Sequence, residues 1–425
     1  MATPRPFTRA DHEAVNALHR SVGWPERSLG GWRWLEENPA RRTARSPVGW
    51  VVDGPDGRPH AFLGAFLQSI KGQAGPAAFY NGFSLIVSPK ARGAARGLVG
   101  ALLAQPEAAL TATLNANRLS SPIYPRLGFQ PLDDPMFRLK LSWRIDPAAA
   151  LASRMLRIAA EAAPALFADG REWLASSRLA RGDLPVLPSG VSAIQDLSDD
   201  GAYARFWRAA EARSDLIADR SPEILRWRLA DPDLTRRPIL LGVWRDRELA
   251  AVAMALMAKQ RPIDPAVLEV LDLQALDGEA VDAFPRLMSA LMAIGRAQGA
   301  AKLRLSVVHP GLLEALGPWA GRARREGGWG HAFERWRDPA DARRKLWRPT
   351  PFDGDYSFCL RPAARGAGAG RAATAGRRAV APRRAEAIRP SVGPSARRGF
   401  RSAAPRSASA RSAARDSRPL CAAGY

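Results

Sequence analysis

Cysteine and histidine, the residues of disulfide frameworks and of most metal sites, are scarce in this sequence. Its 425 residues include 2 cysteines and 5 histidines. Cys359 and Cys421 are too few for a disulfide framework, and their spacing fits no metal-binding pattern. We therefore expect no metal site and a reducing, cytoplasmic compartment.

Long apolar segments are missing as well. The sequence contains no run of about 18 or more apolar residues, and residues 1–13 have no apolar core of the kind that signal peptides have. The alanine-rich stretch from Leu151 to Ala168 is interrupted by charged residues, among them Arg154 and Arg157. We therefore expect no membrane partner.

Acidic residues are fewer than basic ones, and the imbalance is greatest at one end. The net charge is +22, of which residues 362–425 contribute +12 through 14 arginines against Glu386 and Asp416. This segment consists mainly of Ala, Arg, Gly, Pro and Ser and cannot bury enough apolar surface to offset its chain entropy. We expect residues 363–425 to be disordered. They are either an interaction tail for nucleic acid and other polyanions or the product of a frameshifted GC-rich reading frame.

The most informative stretch of the remaining sequence is Ser84–Leu103. It reads as the end of an apolar strand, a basic glycine loop over Lys90–Gly97, and an apolar helix from about Leu98. Backbone N–H groups at a helix start lack intrahelical acceptors and carry about half a positive charge. The layout therefore predicts a phosphate site, although neither the P-loop nor the GxGxxG pattern is present.

This loop resembles motif A of the GNAT superfamily of acyl-CoA-dependent N-acyltransferases. The family has V-x-P followed by R/Q-x-x-G-x-G/A, and here Val87-Ser88-Pro89 precedes Arg92-Gly93-Ala94-Ala95-Arg96-Gly97. Ala95 stands where the family has its middle glycine. The resemblance implies that backbone N–H groups of Arg92, Gly93, Ala94, Ala95, Arg96 and Gly97 bind the pyrophosphate of coenzyme A.

A second stretch resembles the family's motif B, N-x(6)-Y-x-x-x-G-F. It matches at Asn117, Tyr124, Gly128 and Phe129. The resemblance implies that Tyr124 protonates the coenzyme A thiolate as general acid, that Asn117 belongs to the cofactor site, and that the N–H near Val87 polarises the thioester carbonyl. Pro122 and Pro125 depart from the regular helix of the family at this point.

No general base is visible in the sequence. The strand Phe79–Val87 carries no carboxylate, and Glu36 and Glu37 look like exposed helix residues. A water chain or an already deprotonated amine would also serve. The resemblance implies acetyl-CoA or another acyl-CoA as co-substrate and an amine, small or polymeric, as acceptor.

The sequence predicts two similar halves. WLEENP at 34–39 matches WRLADP at 227–232, an offset of 193 residues. We expect an α+β fold of two tandem GNAT-like domains, similar to mycothiol synthases, each with a mixed, partly splayed sheet flanked by helices. The expected division is a catalytic domain at 1–145, a helical linker at 146–190, and a degenerate domain at 191–362 before the tail.

The second half lacks the basic loop. Its strand Val267–Ala275 is followed by LDGEAVDAF, whose carboxylates Asp277, Glu279 and Asp282 would repel a pyrophosphate. The sequence therefore predicts one acyl-CoA site, in the first half, and N-acyl transfer by direct attack of an amine. The alternative is a non-catalytic GNAT-fold protein that senses acyl-CoA or binds a polymer.

The smaller elements are predicted as follows. We expect a hairpin over Gly49–Asp53 and His60–Ile70, a strand over Ala77–Val87, and a short helix over Leu119–Leu127. We further expect Met136–Trp143 to be the strand that closes the first sheet.

Overall fold

The computed structural model describes residues 3–42, 46–73, 75–163, 184–213, 215–259, 264–326 and 331–362. The predicted tail at 363–425 lies outside the described residues, as does most of the predicted linker beyond residue 163. Within the described ranges, no helix combines the length and hydropathy that a membrane span requires.

The first half of the chain alternates short helices with strands of a mixed sheet. Its strands are β1 (Arg5–Pro6), β2 (Gly49–Asp53), β3 (Pro59–Lys71), β4 (Ala77–Val87), β5 (Ala108–Ala116), β6 (Gln130–Pro131) and β7 (Lys140–Arg144). Its helices are α1 (His12–Ser21), α2 (Leu29–Glu36), α3 (Ala94–Leu103), α4 (Ile123–Arg126), α5 (Asp134–Arg138) and α6 (Pro147–Ala162).

The second half follows a closely similar order. Its strands are β8 (Val191–Ala193), β9 (Ile217–Ala218), β10 (Ile239–Arg245), β11 (Glu248–Lys259), β12 (Val267–Ala275), β13 (Lys302–Ser306), β14 (Arg324–Glu326), β15 (His331–Trp336) and β16 (Arg361–Pro362). Its helices are α7 (Ala202–Glu211), α8 (Pro222–Leu229), α9 (Ala280–Ala297), α10 (Pro310–Ala315), α11 (Pro318–Arg322) and α12 (Tyr356–Cys359).

The described strands form two mixed sheets, which confirms the predicted α+β class. The first sheet has the order β1-β2-β3-β4-β5-β15-β6, with β9 beside β3. The second has the order β14-β7-β13-β12-β11-β10-β8, with β16 beside β11. Only the pairs β4–β5 and β12–β13 are parallel; the other paired strands are antiparallel.

The two halves exchange a strand. β7 lies between β13 and β14 of the second sheet, and β15 lies between β5 and β6 of the first. The prediction that Met136–Trp143 closes the first sheet is therefore wrong: residues 134–138 form α5, and β7 pairs with Lys302–Ser306. A strand's local sequence does not state which of two similar sheets it joins, because the partner lies far away along the chain.

A symmetric contact joins the halves at the repeated motif. The rings of Trp34 and Trp227 stack at 4.1 Å with an interplanar angle of 4°. Each indole N–H donates to the backbone carbonyl of the other tryptophan, at 2.7 Å and 3.0 Å. Such reciprocal contacts are the mark of a two-fold relation between two similar units.

The repeat is longer than the sequence comparison indicated. Arg27-Ser28 precedes α2, and Arg220-Ser221 precedes α8 at the same offset of 193 residues. Both serines cap their helices, Ser28 accepting from the N–H of Gly31 at 2.9 Å and Ser221 from that of Ile224 at 3.5 Å. The two helices therefore begin in the same way.

A shared apolar core lies between the two sheets. It combines Leu110 and Leu114 of β5 with Val252 and Leu256 of β11. α3 covers the opposite face of the first sheet and α9 the opposite face of the second. Burial of this surface holds the halves together, since each CH₂ removed from water contributes about 0.8 kcal/mol.

Candidate functional site

The basic loop forms a helix start without a capping side chain. After β4, residues 89–91 make one 3₁₀ turn, and Gly93 at φ +92° is the residue before α3. A side chain at Gly93 would meet no atom within 4 Å, so its backbone conformation, rather than lack of space, calls for glycine. α3 begins at Ala94, four residues before the predicted Leu98, because this left-handed residue turns the chain directly into the helix.

The strands on either side of this helix separate. β4 and β5 pair in parallel from Ala78–Ala108 to Asn81–Ala112, where the pairing ends. β4 continues to Val87, paired with β3 alone, and β5 continues to Ala116 beside β15. The result is a gap between two parallel strands that opens toward the start of α3, as the sequence predicted.

A bulge interrupts β4 within this open part. The register with β3 shifts between Phe62 and Gly64, and Ser84 has a φ of +52°. A non-glycine residue in this region costs of order 1–3 kcal/mol, and such strain persists where the surroundings impose it. The bulge leaves backbone groups of β4 out of the ladder with β3.

Charge at this helix start is positive. The side chains of Arg92 and Arg96 are exposed and have no ion-pair partner among the described residues, and no acidic residue occurs in the first turn of α3. Ala94 and Ala95 are half-buried, as is Val87 at the end of β4. The loop therefore offers unopposed charge and free helical N–H groups on the surface.

Gly97 lies against the N-terminal segment of the chain. A Cβ at this position would lie 3.2 Å from Cγ and 3.4 Å from Cδ of Pro4. A side chain at Gly97 would therefore push against Pro4 of the N-terminal segment. Because a side chain at Gly97 would disturb that packing, Arg92 and Arg96 are the cleaner positions at which to test the loop.

Tyr124 is buried. Its side chain is 5% exposed, stacks on Phe333 at 5.4 Å and meets Phe129 edge-on at 5.2 Å. Burial raises its pKa to about 12, a hydrogen bond with Thr113 opposes the shift, and the charge of Asp355 adds to it. A hydroxyl with this pKa is protonated at neutral pH, as a proton donor must be.

Asn117 follows β5 and holds the turn that leads to Tyr124. Its side-chain oxygen accepts from the backbone N–H groups of Leu119 at 2.9 Å and Ser120 at 3.0 Å. Only Ile123–Arg126 is helical within the predicted helix Leu119–Leu127, with Pro122 as its N-cap. The role of Asn117 that the structure makes visible is therefore to shape this turn.

A C-terminal strap, which we define as residues 350–360, crosses the gap from the side of the second sheet. Tyr356 donates to the carbonyl of Leu114 at 3.0 Å, and the ring of Phe358 meets that of Phe83 at 5.2 Å. Leu114 and Phe83 each lie two residues beyond the last β4–β5 pair. Asp355, the residue before Tyr356, is buried and its charge acts on Tyr124. No sequence pattern assigned it to this site, because about 230 residues separate the two.

The corresponding gap in the second sheet is filled. β12 and β13 pair up to Val270–Leu305 only. Two residues further along β12, Asp272 forms an ion pair with Arg220 at 2.6 Å. Arg220 forms a second ion pair with Asp353 of the strap at 2.8 Å. Burial alone would lower the pKa of Arg220, but these two carboxylates hold it above its ordinary value. These ion pairs lie where the strands of the second sheet separate. At the corresponding place in the first sheet, the rings of Tyr356 and Phe358 pack instead.

The helix start beside the second gap is acidic. Glu279 is the N-cap of α9 and Asp282 lies in its first turn. Arg245 contacts both, at 2.6 Å and 3.5 Å, and Asp277 contacts Arg213 at 2.9 Å. The cationic side chains here are already paired with carboxylates of the protein itself.

Asp353 of the strap and His309 bind other groups of the protein. No group of three or more potential ligands lies together in the part of the chain that the structure describes. Asp353 instead binds Arg220, and His309 caps α10 by accepting from the N–H of Leu312 at 3.0 Å. Both therefore have structural partners.

Comparisons with known proteins give similarities to solved structures alone. No protein-family model matches the sequence, and no curated protein matches it. The structure is similar to a probable N-acyltransferase from Enterococcus faecalis, with a TM-score of 0.47, 10% identity, and coverage of 79% of this chain and 73% of that one.

Two further structures are similar at the same level. A GCN5-related N-acetyltransferase from Kribbella flavida has a TM-score of 0.44 and 16% identity, covering 79% of this chain and 72% of that one. The N-myristoyltransferase of Saccharomyces cerevisiae, solved with myristoyl-CoA and inhibitors, has a TM-score of 0.49 and 10% identity, covering 78% and 79%. Values this low do not indicate an activity for this chain.

Proposed function

We propose that the protein is a tandem GNAT-like N-acyltransferase that moves an acyl group from acyl-CoA, such as acetyl-CoA, to an amine. The observation that carries the proposal is the gap beyond Asn81 and Ala112, which opens beside a basic helix start with no carboxylate in its first turn. This arrangement fits a pyrophosphate on the N–H groups of α3, with the thioester between the strands in the place that Tyr356 and Phe358 of the strap take.

Residues of the gap supply the chemistry that acyl transfer requires. The reaction needs the two reactants held in line, the developing oxyanion stabilised and the departing thiolate protonated. Backbone N–H groups at the bulge near Val87 would polarise the carbonyl, and Tyr124 would protonate the thiolate. Asp355 of the strap is our candidate for the group that accepts the proton of the attacking amine.

A test combines binding with turnover. Calorimetric titration with acetyl-CoA should show binding, and a thioester-consumption assay with small amines, amino sugars and lysine peptides should show turnover with at least one of them. Binding without turnover across such a panel would favour the alternative function. Absence of binding would contradict the proposal.

The alternative is a protein that binds acyl-CoA without catalysis. The burial of Tyr124, at 5% exposure among Phe129 and Phe333, favours this function. A hydroxyl that is held in an apolar core and bonded to Thr113 must leave its place to meet a ligand. Turnover that depends on Tyr124 would decide between the two functions.

A further inference from the structure

One face of the second sheet carries cationic side chains in neighbouring strands. Lys302 of β13 lies directly opposite Arg144 of β7. In the next row on the same face, Arg304, Ser142 and Arg324 lie side by side across three strands. Like charges directly opposite each other destabilise a sheet by a few tenths to about 1 kcal/mol.

Part of the charge is balanced within the protein. Lys302 donates to Glu326 at 2.7 Å, and Arg304 donates through Nε to Glu269 at 2.9 Å. These pairs fix the cationic face in position. Among the described residues, Arg144 of β7 and Arg324 of the edge strand β14 have no carboxylate partner.

The helix α6 forms the wall opposite this face. Its residues Ala150, Leu151 and Arg154, spaced three and four apart from the helix start at Pro147, lie on one side and line a pocket. The helix is fastened to the second half by Arg157, which donates to Asp264 at 3.2 Å. The α6 side of the pocket thus carries an apolar wall of Pro147, Ala150 and Leu151 beside Arg154 and Arg157, and the sheet side is cationic.

The pocket has a volume of about 790 Å³. Its basic lining residues outnumber the acidic ones, Asp264 and Glu326, by six to two. Four of them have no carboxylate partner within the described ranges: Arg144, Arg154, Arg322 and Arg324. Guanidinium groups that line a pocket without carboxylate partners of their own match the geometry and charge of phosphate, to which they bind bidentately.

We propose that this pocket binds a phosphorylated small molecule of nucleotide size. Its volume falls within the range of about 300–1,000 Å³ typical of small-molecule sites, and its apolar wall would take a base or similar ring while the arginines take the phosphates. The site shares no residue with the loop Arg92–Gly97. It is therefore a second ligand site whose existence does not depend on the proposed transferase activity.

The test is calorimetric titration of the full chain with ATP, with pyrophosphate and with adenosine. We expect ATP to bind more tightly than pyrophosphate, and adenosine to bind weakly. In Arg154→Ala/Arg324→Ala the affinity for ATP and for pyrophosphate should fall at least tenfold, since each hydrogen bond to a charged group contributes measurably. The matched control is Arg58→Ala/Arg208→Ala, two exposed arginines elsewhere. The arginines of residues 363–425 are present in every variant, so their background cancels.

A second variant keeps the proposal testable if Arg154→Ala/Arg324→Ala does not fold. Arg324→Lys keeps the charge and should bind ATP with an affinity between those of the wild type and the double variant, because lysine lacks the planar fork. Equal ATP affinity in all variants would overturn the proposal. Binding of a single-stranded oligonucleotide more tightly than ATP, lost in Arg154→Ala/Arg324→Ala, would overturn the assignment to a small molecule.

The same variants separate this site from the acyl-CoA site. Arg154→Ala/Arg324→Ala should bind acetyl-CoA like the wild type, and Arg92→Glu/Arg96→Glu should bind ATP like the wild type. If the second variant loses ATP and the first keeps it, ATP binds at the loop and the pocket proposal is wrong.

Discussion

Two helices in this molecule follow a strand that separates from its parallel neighbour, and their first turns differ in charge. α3 begins after a basic loop with Arg92 and Arg96 exposed and no acid in its first turn. α9 begins with Glu279 and Asp282, both in contact with Arg245. Backbone N–H groups and the helix dipole are present at both starts.

The two helix starts share a backbone layout and differ in side-chain charge, so we expect only α3 to bind an anion. The halves have closely similar element orders and both contain a gap, but Tyr356 and Phe358 of the strap pack at the first, whereas the ion pairs of Arg220 with Asp272 and Asp353 occupy the second. A pyrophosphate that approached α9 would meet carboxylates and would compete for arginines that are already paired. We infer that the second half supports the first rather than repeating its chemistry.

The largest effect is expected when the charge at the start of α3 is reversed. Arg92→Glu/Arg96→Glu should abolish acetyl-CoA binding in calorimetry, because the loss of two charge-assisted hydrogen bonds costs about 3–6 kcal/mol. The matched change at the other helix start, Asp277→Asn/Asp282→Asn, should leave the affinity within about twofold, since this helix binds no cofactor. Equal effects of the two pairs would show that the comparison is wrong.

The second prediction concerns a buried tyrosine in each half. Tyr124→Phe should lower kcat about 10²–10⁴-fold with little change in KM for acetyl-CoA, as expected when a general acid is lost. Tyr203, which donates to the carbonyl of Arg220 at 2.6 Å, provides the control. Tyr203→Phe should cost about 1 kcal/mol of stability and leave kcat unchanged. A loss of kcat below threefold in Tyr124→Phe would mean that this hydroxyl is structural.

The third prediction tests the symmetric contact between the halves. Trp34→Ala and Trp227→Ala should each lower the free energy of unfolding by about 3–5 kcal/mol, because each leaves a cavity and an unpaired carbonyl. The double variant should lose less than the sum, with a coupling energy of about 0.5–3 kcal/mol. Additive losses in denaturant titrations would show that the stacked rings do not couple the two halves.

The smallest effect is expected at two glycines. Gly93 and Gly278 precede α3 and α9 with φ of +92° and +79°, and a side chain at either would meet no atom within 4 Å. Replacement of either by alanine should cost about 1–2 kcal/mol of stability. Only Gly93→Ala should also weaken acetyl-CoA binding. Equal affinities in both variants would contradict the assignment of the loop.

Much of the fold could be predicted from local patterns. The bounds of β4 and β12 match the predicted strands Ala77–Val87 and Val267–Ala275, and the hairpin of β2 and β3 lies where the turn residues place it. These elements are long, apolar and bounded by glycine or proline, so their own sequence specifies them. The exchange of β7 and β15 could not be predicted, because the local sequence of each strand would fit either sheet.

The candidate site could be predicted only in part. The residues Arg92–Gly97 and Tyr124 were assigned through the resemblance to family motifs, and the structure adds the point beyond Asn81 and Ala112 at which β4 and β5 separate. Pro4 against Gly97 and Asp355 near Tyr124 are contacts between segments far apart in sequence. Local sequence patterns do not predict such contacts. That the strap crosses the gap is visible only from the contacts of Tyr356 and Phe358 in the structure.

The central claim is that one gap, and only one, binds acyl-CoA. The most direct test is the stoichiometry of acetyl-CoA binding, measured by calorimetric titration of the purified full chain. We predict saturation at one equivalent per chain, with no remaining site in Arg92→Glu/Arg96→Glu. Saturation at two equivalents, with one equivalent surviving in that variant, would contradict the account and place a second site in the half whose helix start is acidic.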